Sequence, residues 1–136
     1  MSDPYELRVQ VQPADLDGLE HVNNVVYLRW VQDVAIAHWR AIAPAEDQAT
    51  LVWMVHRHEI DYLAAAGPND EVILRTWVGT AEGLRYERHT EMLRASDRKL
   101  LARARTLWIP VDPTTGRPKR VSPAIKALFS TGLSPS

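Results

Sequence analysis

Two aspartates and a histidine lie close together in the sequence, directly before a predicted helix. Asp15 and Asp17 are followed by His21, and the helix is predicted to begin at Asn23 or Asn24. The first N–H groups of a helix are unpaired and lie at the positive end of its dipole, so they stabilise a substrate oxygen that gains negative charge. A carboxylate beside such a site can attack a carbonyl carbon or activate water. The segment therefore predicts an active site with Asp17 as its carboxylate.

The periodicity of apolar residues predicts the elements that hold this segment. Alternating apolar residues from Leu7 to Val11 indicate a half-buried strand. From Asn24 to Ile42 the pattern predicts a helix that is apolar around most of its circumference, and therefore wrapped by other structure. Ala45 to Thr50 is predicted to be a loop. Four strand-like segments follow, at Val52 to Tyr62, Glu71 to Val78, Leu84 to Arg94 and Lys99 to Val111.

The connections between the last strands favour antiparallel pairing. Gly79 to Gly83 and Ala95 to Arg98 have the composition of hairpin turns. Small side chains on one face of the last strand would let the helix lie close to the sheet. That face is predicted to comprise Leu100, Ala102, Ala104, Thr106 and Trp108. Asp112 to Arg120 is predicted to be a loop and Pro123 to Phe129 a short helix. One long helix and a meander of strands indicate the α+β class.

Length and composition exclude several classes of protein. A chain of 136 residues fits one domain, predicted over 1–136. A formal charge of -1 gives no reason to expect a nucleic-acid partner. The absence of cysteine excludes disulfides and thiolate nucleophiles. We find neither a signal peptide nor an apolar run long enough to cross a membrane, so a cytoplasmic protein is expected.

The residues around the predicted helix start resemble the signature of the hotdog-fold thioesterases. The motif is Asp17-x-x-x-His21-Val22-Asn23-Asn24-x-x-Tyr27-x-x-Trp30. Further matches follow in order at Ile60-Asp61-Tyr62-Leu63, Asp70-x-Val72, Thr76-Trp77, Ala102-x-Ala104-x-Thr106-x-Trp108 and Val111-Asp112-x-x-Thr115-Gly116-Arg117-Pro118. The group contains 4-hydroxybenzoyl-CoA thioesterase-like enzymes and acyl-ACP thioesterases, and the resemblance covers nearly the whole chain.

The resemblance implies a fold, an activity and a set of site residues. The fold would be a curved antiparallel sheet of about five strands wrapped around one long central helix. The activity would be hydrolysis of an acyl-CoA, with acyl carrier protein as a possible alternative carrier and no cofactor. Asp17 would be the catalytic carboxylate, and the backbone N–H of Asn24 would polarise the thioester carbonyl. The active site would lie at the interface of a homodimer or of a dimer of dimers.

Two residues inside the motif depart from the family pattern. Many relatives carry glycine where this chain has Glu20, and plant-type acyl-ACP thioesterases carry a catalytic asparagine where this chain has Leu19. Three functions therefore remain open. The first is acyl-thioester hydrolysis. The second is a hydratase or dehydratase acting on similar thioesters, although the spacing Asp17-x-x-x-His21-Val22-Asn23-Asn24 argues against it. The third, which Leu19 and Glu20 keep open, is an acyl-thioester-binding protein without catalysis.

The other candidate residues each have a structural interpretation beside the functional one. Asp17 could be only a turn residue, and it could act as nucleophile or as general base. His21 could orient Asp17 or a water molecule, or make a structural hydrogen bond. Asp15 is expected to be solvated or to cap the local turn. No metal site is predicted, because these three side chains lack a fourth ligand at a recognised spacing.

Residues outside the motif are candidates for contact with the substrate. These are Asn23, Tyr27, His58 and Arg117. His56 and His58 are predicted to share one strand face, where they could line the pocket or be hydrogen-bonded core histidines. Tyr27 could border the acyl group or only pack in the core. Arg117 and arginines of the last strands, such as Arg88, Arg103 and Arg105, could contact the phosphates of CoA.

Overall fold

The computed structural model describes residues 4–129, which form one five-stranded antiparallel sheet with helices against it. The strands are β1 (Tyr5–Gln10), β2 (Val52–Tyr62), β3 (Glu71–Glu82), β4 (Arg85–Arg94) and β5 (Leu100–Val111). The helices are α1 (Asn24–Ile42), α2 (Ala45–Thr50) and α3 (Pro123–Phe129), and a 3-10 turn covers Pro13–Asp15. The predicted α+β hotdog architecture is confirmed. The predicted domain, 1–136, includes residues outside the described range.

The strand order places β1 and β2 at opposite edges of the sheet. The order is β1-β3-β4-β5-β2, and every neighbouring pair is antiparallel. The chain leaves β1, crosses the inner face of the sheet as α1, and returns at the far edge as β2. Among the described residues β2 pairs only with β5, so its other side has unpaired backbone groups.

Helix α1 is held in place by deep burial against the sheet. It begins and ends at the predicted residues, Asn24 and Ile42. Val31 and Val34 have no exposed surface, and they belong to the same core cluster as Leu74 of β3. Close packing along this contact fixes the position of the helix start relative to the sheet. None of the described helices combines the length and apolar character that crossing a membrane would need.

The inner face of β5 carries the predicted small residues, with one change. Ala102 and Ala104 are buried beneath α1, as predicted. Leu101 is fully buried in the core, whereas Leu100 is only half-buried. The pairing of β5 with β4 is irregular here, because Leu93 pairs with Leu100 while its predecessor pairs with Ala102. The skipped residue, Leu101, therefore points into the core.

The segment Ala45–Thr50, predicted to be a loop, is the helix α2. Glu46 and Asp47 lie in its first turn, where carboxylates are stabilised by the helix dipole. The side-chain amide of Gln48 donates to the carbonyl oxygen of Ala43 at 2.8 Å. This bond satisfies an acceptor at the end of α1 that would otherwise lack a partner.

The predicted hairpin connection Gly79 to Gly83 is wrong except at its last residue. Strand β3 continues to Glu82, and the turn is centred on Gly83, which has a φ of 62°. Gly79 lies within the strand, and glycine is favoured there because a Cβ would approach Nε2 of His89 to 2.9 Å. Glycine at position 79 thus serves a close approach within the sheet.

A β-bulge in β2 corrects the predicted arrangement of its histidines. Val55 and Arg57 pair with consecutive residues of β5, so His56 is an extra residue. Trp53 and Val55 are half-buried before the bulge, and His58 is half-buried after it, whereas His56 is exposed. The prediction that His56 and His58 share one face is therefore wrong.

Candidate active site

A short loop before α1 holds the predicted catalytic residues. Leu16 and Val22 form an isolated antiparallel bridge that closes the loop. Inside it, the backbone N–H of Asp17 donates to the carbonyl oxygen of His21 at 2.8 Å. The backbone N–H of Asn23 donates to the carbonyl oxygen of Asp15 at 2.8 Å. These bonds attach the loop directly to the start of α1.

The carboxylate of Asp17 is exposed, and the loop backbone fixes its orientation. Its Oδ1 accepts the N–H of Leu19 at 2.8 Å and that of His21 at 3.1 Å. These two donors, Leu19 first, hold the pKa of Asp17 below its ordinary value, so the carboxylate is ionised at neutral pH. Oδ2 has no hydrogen-bond partner among residues 4–129. One oxygen therefore orients the group while the other is available to water or substrate.

His21 is connected to Asp17 through the main chain. Its backbone N–H and carbonyl oxygen both bond to Asp17, and its side chain is exposed. The ring makes no hydrogen bond to any residue of the described range. The structure thus brings the two predicted residues together without forming a ring–carboxylate pair.

Glu20 has the backbone conformation of a glycine. Its φ is 57°, in the left-handed region, which costs a side-chain-bearing residue about 1–2 kcal/mol. In this conformation its N–H donates to the carbonyl oxygen of Asp17 at 3.1 Å. The loop therefore keeps a shape that suits glycine, although the chain carries glutamate at this position.

We expect Glu20→Gly to stabilise the protein without changing its activity. Relief of the left-handed strain exceeds the extra entropy of an unfolded glycine, so the net gain should be about 0.5–1 kcal/mol. Thermal unfolding measures it as a rise in Tm of a few degrees. Arg98→Gly is the matched control, because Arg98 also has a φ of 57° but lies in the β4–β5 turn. A lower Tm for Glu20→Gly alone would show that the glutamate side chain stabilises the loop.

The start of α1 presents a free backbone donor. Asn23 is the N-cap, and its side-chain oxygen accepts the N–H of Val25 at 3.1 Å. The N–H of Asn24, the first helical residue, has no acceptor among the described residues. The hydroxyl of Tyr62, at the end of β2, donates to the carbonyl oxygen of Asn24 at 3.3 Å. A free donor at the positive end of a helix, next to an ionised carboxylate, suits a reaction in which a carbonyl oxygen becomes negative.

Asp15 has a structural role, as a cap of the local turn. It is buried, with Oδ2 accepting the backbone N–H of Gln12 at 2.9 Å and Oδ1 bonded to Arg29 at 3.1 Å. The alternative of a solvated side chain is wrong. Within residues 4–129, no three histidine, aspartate or glutamate side chains are grouped as the ligands of a metal ion would be.

Tyr27 and His58 lie beneath the surface, each with a structural partner. Tyr27 is a core residue whose hydroxyl oxygen accepts the N–H of Ala66 at 2.9 Å. His58 is half-buried, with Nδ1 at 3.0 Å from the hydroxyl of Thr106 and Nε2 at 3.5 Å from the side-chain nitrogen of Gln32. Burial lowers the pKa of His58, so its ring is neutral at pH 7. Both residues have the partners that a structural role needs, and their predicted contact with the substrate stays a prediction.

A cavity that the sequence did not reveal lies between the second half of α1 and the sheet. Its volume is about 550 Å³, within the range of small-molecule sites. Its aromatic lining comes from distant parts of the chain and comprises Trp39, Trp53, Tyr86, Trp108 and Phe129. None of the residues Asp17, His21 or Asn24 lines it. The only feature of the sequence that relates to this cavity is its high tryptophan content, and a count does not show that the residues lie close together.

The predicted phosphate-binding arginines lie in three different environments. Arg117 is exposed in the loop after β5. Arg103 and Arg105 point away from α1 and form ion pairs, with Asp61 at 3.1 Å and Glu87 at 2.7 Å respectively. Arg88 is buried on the inner face of β4, so it cannot contribute to a surface site. Of these four candidates, only Arg117 is both exposed and outside the ion pairs of the sheet.

Comparison with known proteins gives one family match and a number of similar solved structures. The sequence profile of the thioesterase-like superfamily matches residues 11–129. A thioesterase from Thermus thermophilus, complexed with coenzyme A and Zn, is 25% identical with a TM-score of 0.81, over 96% of this chain and 100% of that one. No curated protein sequence matches significantly.

Two further solved structures share the fold at lower identity. A 1,4-dihydroxy-2-naphthoyl-CoA thioesterase from Synechocystis is 18% identical with a TM-score of 0.79, over 93% of this chain and 95% of that one. A Staphylococcus aureus protein in complex with CoA is 12% identical with a TM-score of 0.83, over 93% and 81%. At these identities the likeness concerns the fold alone.

Proposed function

Because the chain belongs to the thioesterase-like superfamily and is on that ground a thioester hydrolase, we propose that it hydrolyses an acyl-CoA to a free carboxylic acid and CoA. One observation carries this proposal. The unpaired N–H of Asn24 lies at the start of α1, attached to the loop that holds the ionised carboxylate of Asp17. A thioester is already an activated acyl group, so a carboxylate and an oxyanion donor meet its chemical needs.

The residues suggest how each bond changes. The carbonyl oxygen of the thioester accepts the N–H of Asn24, which stabilises the negative charge that develops on it. Oδ2 of Asp17 then attacks the carbonyl carbon, and the carbon–sulfur bond breaks to release CoA as a thiolate. Water hydrolyses the resulting anhydride to the free acid and regenerates the carboxylate of Asp17. The alternative is that Asp17 removes a proton from the attacking water. A lowered pKa weakens a carboxylate both as a base and as a nucleophile, so it does not separate the two routes.

The free edge of β2 supports a homodimer. Val52 and Met54 are exposed apolar side chains on this edge strand, at 42% and 56% exposure. Two copies of β2 pairing antiparallel about a two-fold axis would cover both free edges. Each α1 would then lie antiparallel to its copy on the same face of one continuous sheet.

This pairing would build each active site from two protomers. Tyr62, at one end of β2, contacts Asn24 at the start of α1, whereas Val52, at the other end, lines the cavity. In an antiparallel pair the Tyr62 end of one strand meets the Val52 end of the other. We therefore propose that Asp17 and Asn24 of one protomer act on an acyl group held in the partner's cavity.

The same geometry gives Arg117 a role in binding CoA. Arg117 follows β5, whose last residue, Val111, pairs with Val52. It therefore lies at the cavity end of β2, opposite the partner's helix start in the proposed dimer. We propose that Arg117 contacts a phosphate of CoA there. Two similar solved structures contain CoA, so CoA is the first carrier to test.

Thiol release from a panel of acyl-CoAs tests the proposal. Short, long and aromatic acyl groups should be compared, with the same acyl groups on acyl carrier protein as the alternative carrier. We expect release of free CoA without any change in the unsaturation of the acyl chain. Hydrolysis of the carrier-protein esters alone would contradict the CoA assignment, and a change in unsaturation would indicate a hydratase.

A further inference from the structure

Arg88 is a buried cation that lines the cavity. Its side chain leaves β4 on the inner face of the sheet, and the residue is 8% exposed. Nη1 donates to Nδ1 of His38 at 2.9 Å and to the hydroxyl of Thr76 at 3.2 Å. Both hydrogens of Nη1 are thereby used. Nη2 and Nε donate to no residue of the described range, so three N–H donors of the guanidinium remain free.

The partners of Arg88 do not balance its charge. The ring of His38 is fully buried, and this burial, together with the nearby charge of Arg88, lowers the pKa of His38 to about 3. His38 is therefore neutral at pH 7, and Thr76 carries no charge. Burial lowers the pKa of Arg88 itself only to about 10, so the guanidinium remains protonated. Arg88 and His38 together thus carry one net positive charge inside the fold.

Other partly buried arginines of the sheet have carboxylate partners. Arg75 pairs with Glu91 at 3.0 Å, and Arg105 pairs with Glu87 at 2.7 Å. Arg88 has no such partner among residues 4–129. A charge buried without a counter-charge is costly, and an anion bound beside it would lower that cost. Of these three arginines, Arg88 is therefore the one that an external anion would stabilise most.

The other charged side chains that line the cavity are also positive. Besides Arg88, its charged side chains are Arg40 and Lys126, and both are exposed. Among residues 4–129, no aspartate or glutamate lines the cavity. An apolar cavity whose described charged side chains are all cationic, and in which the guanidinium of Arg88 has free N–H donors, suits an apolar ligand that ends in an anion.

We propose that the cavity binds an acyl group whose far end carries a carboxylate, and that Arg88 binds this carboxylate through Nε and Nη2. These two nitrogens present parallel N–H groups that match the two oxygens of a carboxylate. The inference rests on the proposed function for the thioester end of the substrate. Its substrate class is an acyl-CoA with a distal carboxylate, derived from a dicarboxylic acid.

Arg88 could instead serve only to connect α1 to the sheet through His38. In that case its replacement would lower stability and leave ligand preference unchanged. A test must therefore measure which ligand is preferred, and not activity alone. Arg88→Met removes the charge and keeps a flexible, unbranched apolar side chain, and replacing a buried ion by an apolar group is often tolerated.

The first arm measures binding without any reaction. Titration calorimetry at pH 7 should compare octanoate with 1-octanol, which have the same chain and differ in the end group. We expect wild type to bind octanoate about 10–100-fold more tightly, the effect of hydrogen bonds to a charged group. Arg88→Met should lose this preference, and Arg88→Lys should keep part of it because its charge remains. Arg8→Met is the matched control, since Arg8 is an exposed arginine of β1 outside the cavity.

The second arm measures kcat/KM for pairs of acyl-CoAs of equal length that end in a methyl group or in a carboxylate. Wild type should prefer the carboxylate, and Arg88→Met should reverse the order. Equal binding of octanoate and 1-octanol, or a preference that survives in Arg88→Met, would overturn the inference. If the binding arm succeeds and no CoA ester is hydrolysed, the carboxylate subsite stands and the proposed function fails. Should Arg88→Met not fold, the wild-type comparison and Arg88→Lys decide the matter.

Discussion

Asp17→Asn should lower kcat/KM for thioester hydrolysis by about 10²-fold or more while the protein remains folded. The asparagine oxygen can still accept the N–H groups of Leu19 and His21, so the loop should keep its shape. What is lost is the negative charge that attacks the carbonyl carbon or activates water. Thiol release measures the activity, and circular dichroism with thermal unfolding checks the fold.

Asp97→Asn provides a matched control. Asp97 is also exposed, accepts the N–H of Lys99 at 3.1 Å, and has its pKa lowered first by that bond. It lies in the β4–β5 turn, away from the start of α1. We expect full activity in Asp97→Asn. Full activity in Asp17→Asn would remove Asp17 from the mechanism and leave it as a turn residue.

The lowered pKa of Asp17 also predicts the pH profile. The carboxylate acts in its ionised form, and the backbone donors keep it ionised to a lower pH than an ordinary aspartate, whose pKa is about 3.9. The value of kcat/KM should therefore stay level from pH 7 down to pH 5. The same shift stabilises the fold above the unfolded-state pKa, and this contribution is lost as pH falls through the folded-state pKa. An acid limb between pH 5 and 7 would show that a group other than Asp17 controls the rate.

Mixing two inactive variants should restore activity, because each proposed site combines Asp17 of one protomer with the cavity of the other. Asp17→Ala removes the carboxylate, and Ala35→Phe fills part of the cavity, which Ala35 lines. A heterodimer of the two would contain one site with neither defect. With random pairing, equal amounts should recover roughly one quarter of wild-type activity.

The opposite result is equally informative. If each protomer supplied both its carboxylate and its cavity, every site in the heterodimer would carry one defect, and mixing would restore nothing. A monomer by sedimentation would also contradict the proposed pairing of β2. The control is Asp97→Asn mixed with Asp17→Ala, in which half the protomers keep an unaltered site.

The apolar pattern predicted α1 because one continuous property, its wide apolar face, extends from Asn24 to Ile42. The loop with Asp17 and the exposed helix start could be predicted for the same reason, since all their residues are neighbours in sequence. By contrast, the helix α2 was missed because Ala45–Thr50 has no buried residue, and the side chain of Gln48 connects it to the end of α1 through the carbonyl oxygen of Ala43. Local patterns of hydrophobicity do not record such interactions.

The cavity and the burial of Arg88 were beyond the sequence for a different reason. The bulge at His56 shifts the inward face of β2 by one residue, which places both Trp53 and His58 inward. The identity of residue 56 does not predict this shift. Arg88 alternates with outward charged residues on β4, and its inward direction follows only from the register with β3. Which charges are buried was therefore decided by pairing between distant segments.

The aromatic lining of the cavity makes ligand binding directly observable. Three of the five tryptophans of the chain, Trp39, Trp53 and Trp108, lie on its walls. A bound acyl group would displace water from these indole rings and alter their fluorescence, with no label attached. Trp77, on the opposite face of the sheet, would contribute a constant background. Occupancy of the cavity can thus be followed on the time scale of mixing, before any carbon–sulfur bond is broken.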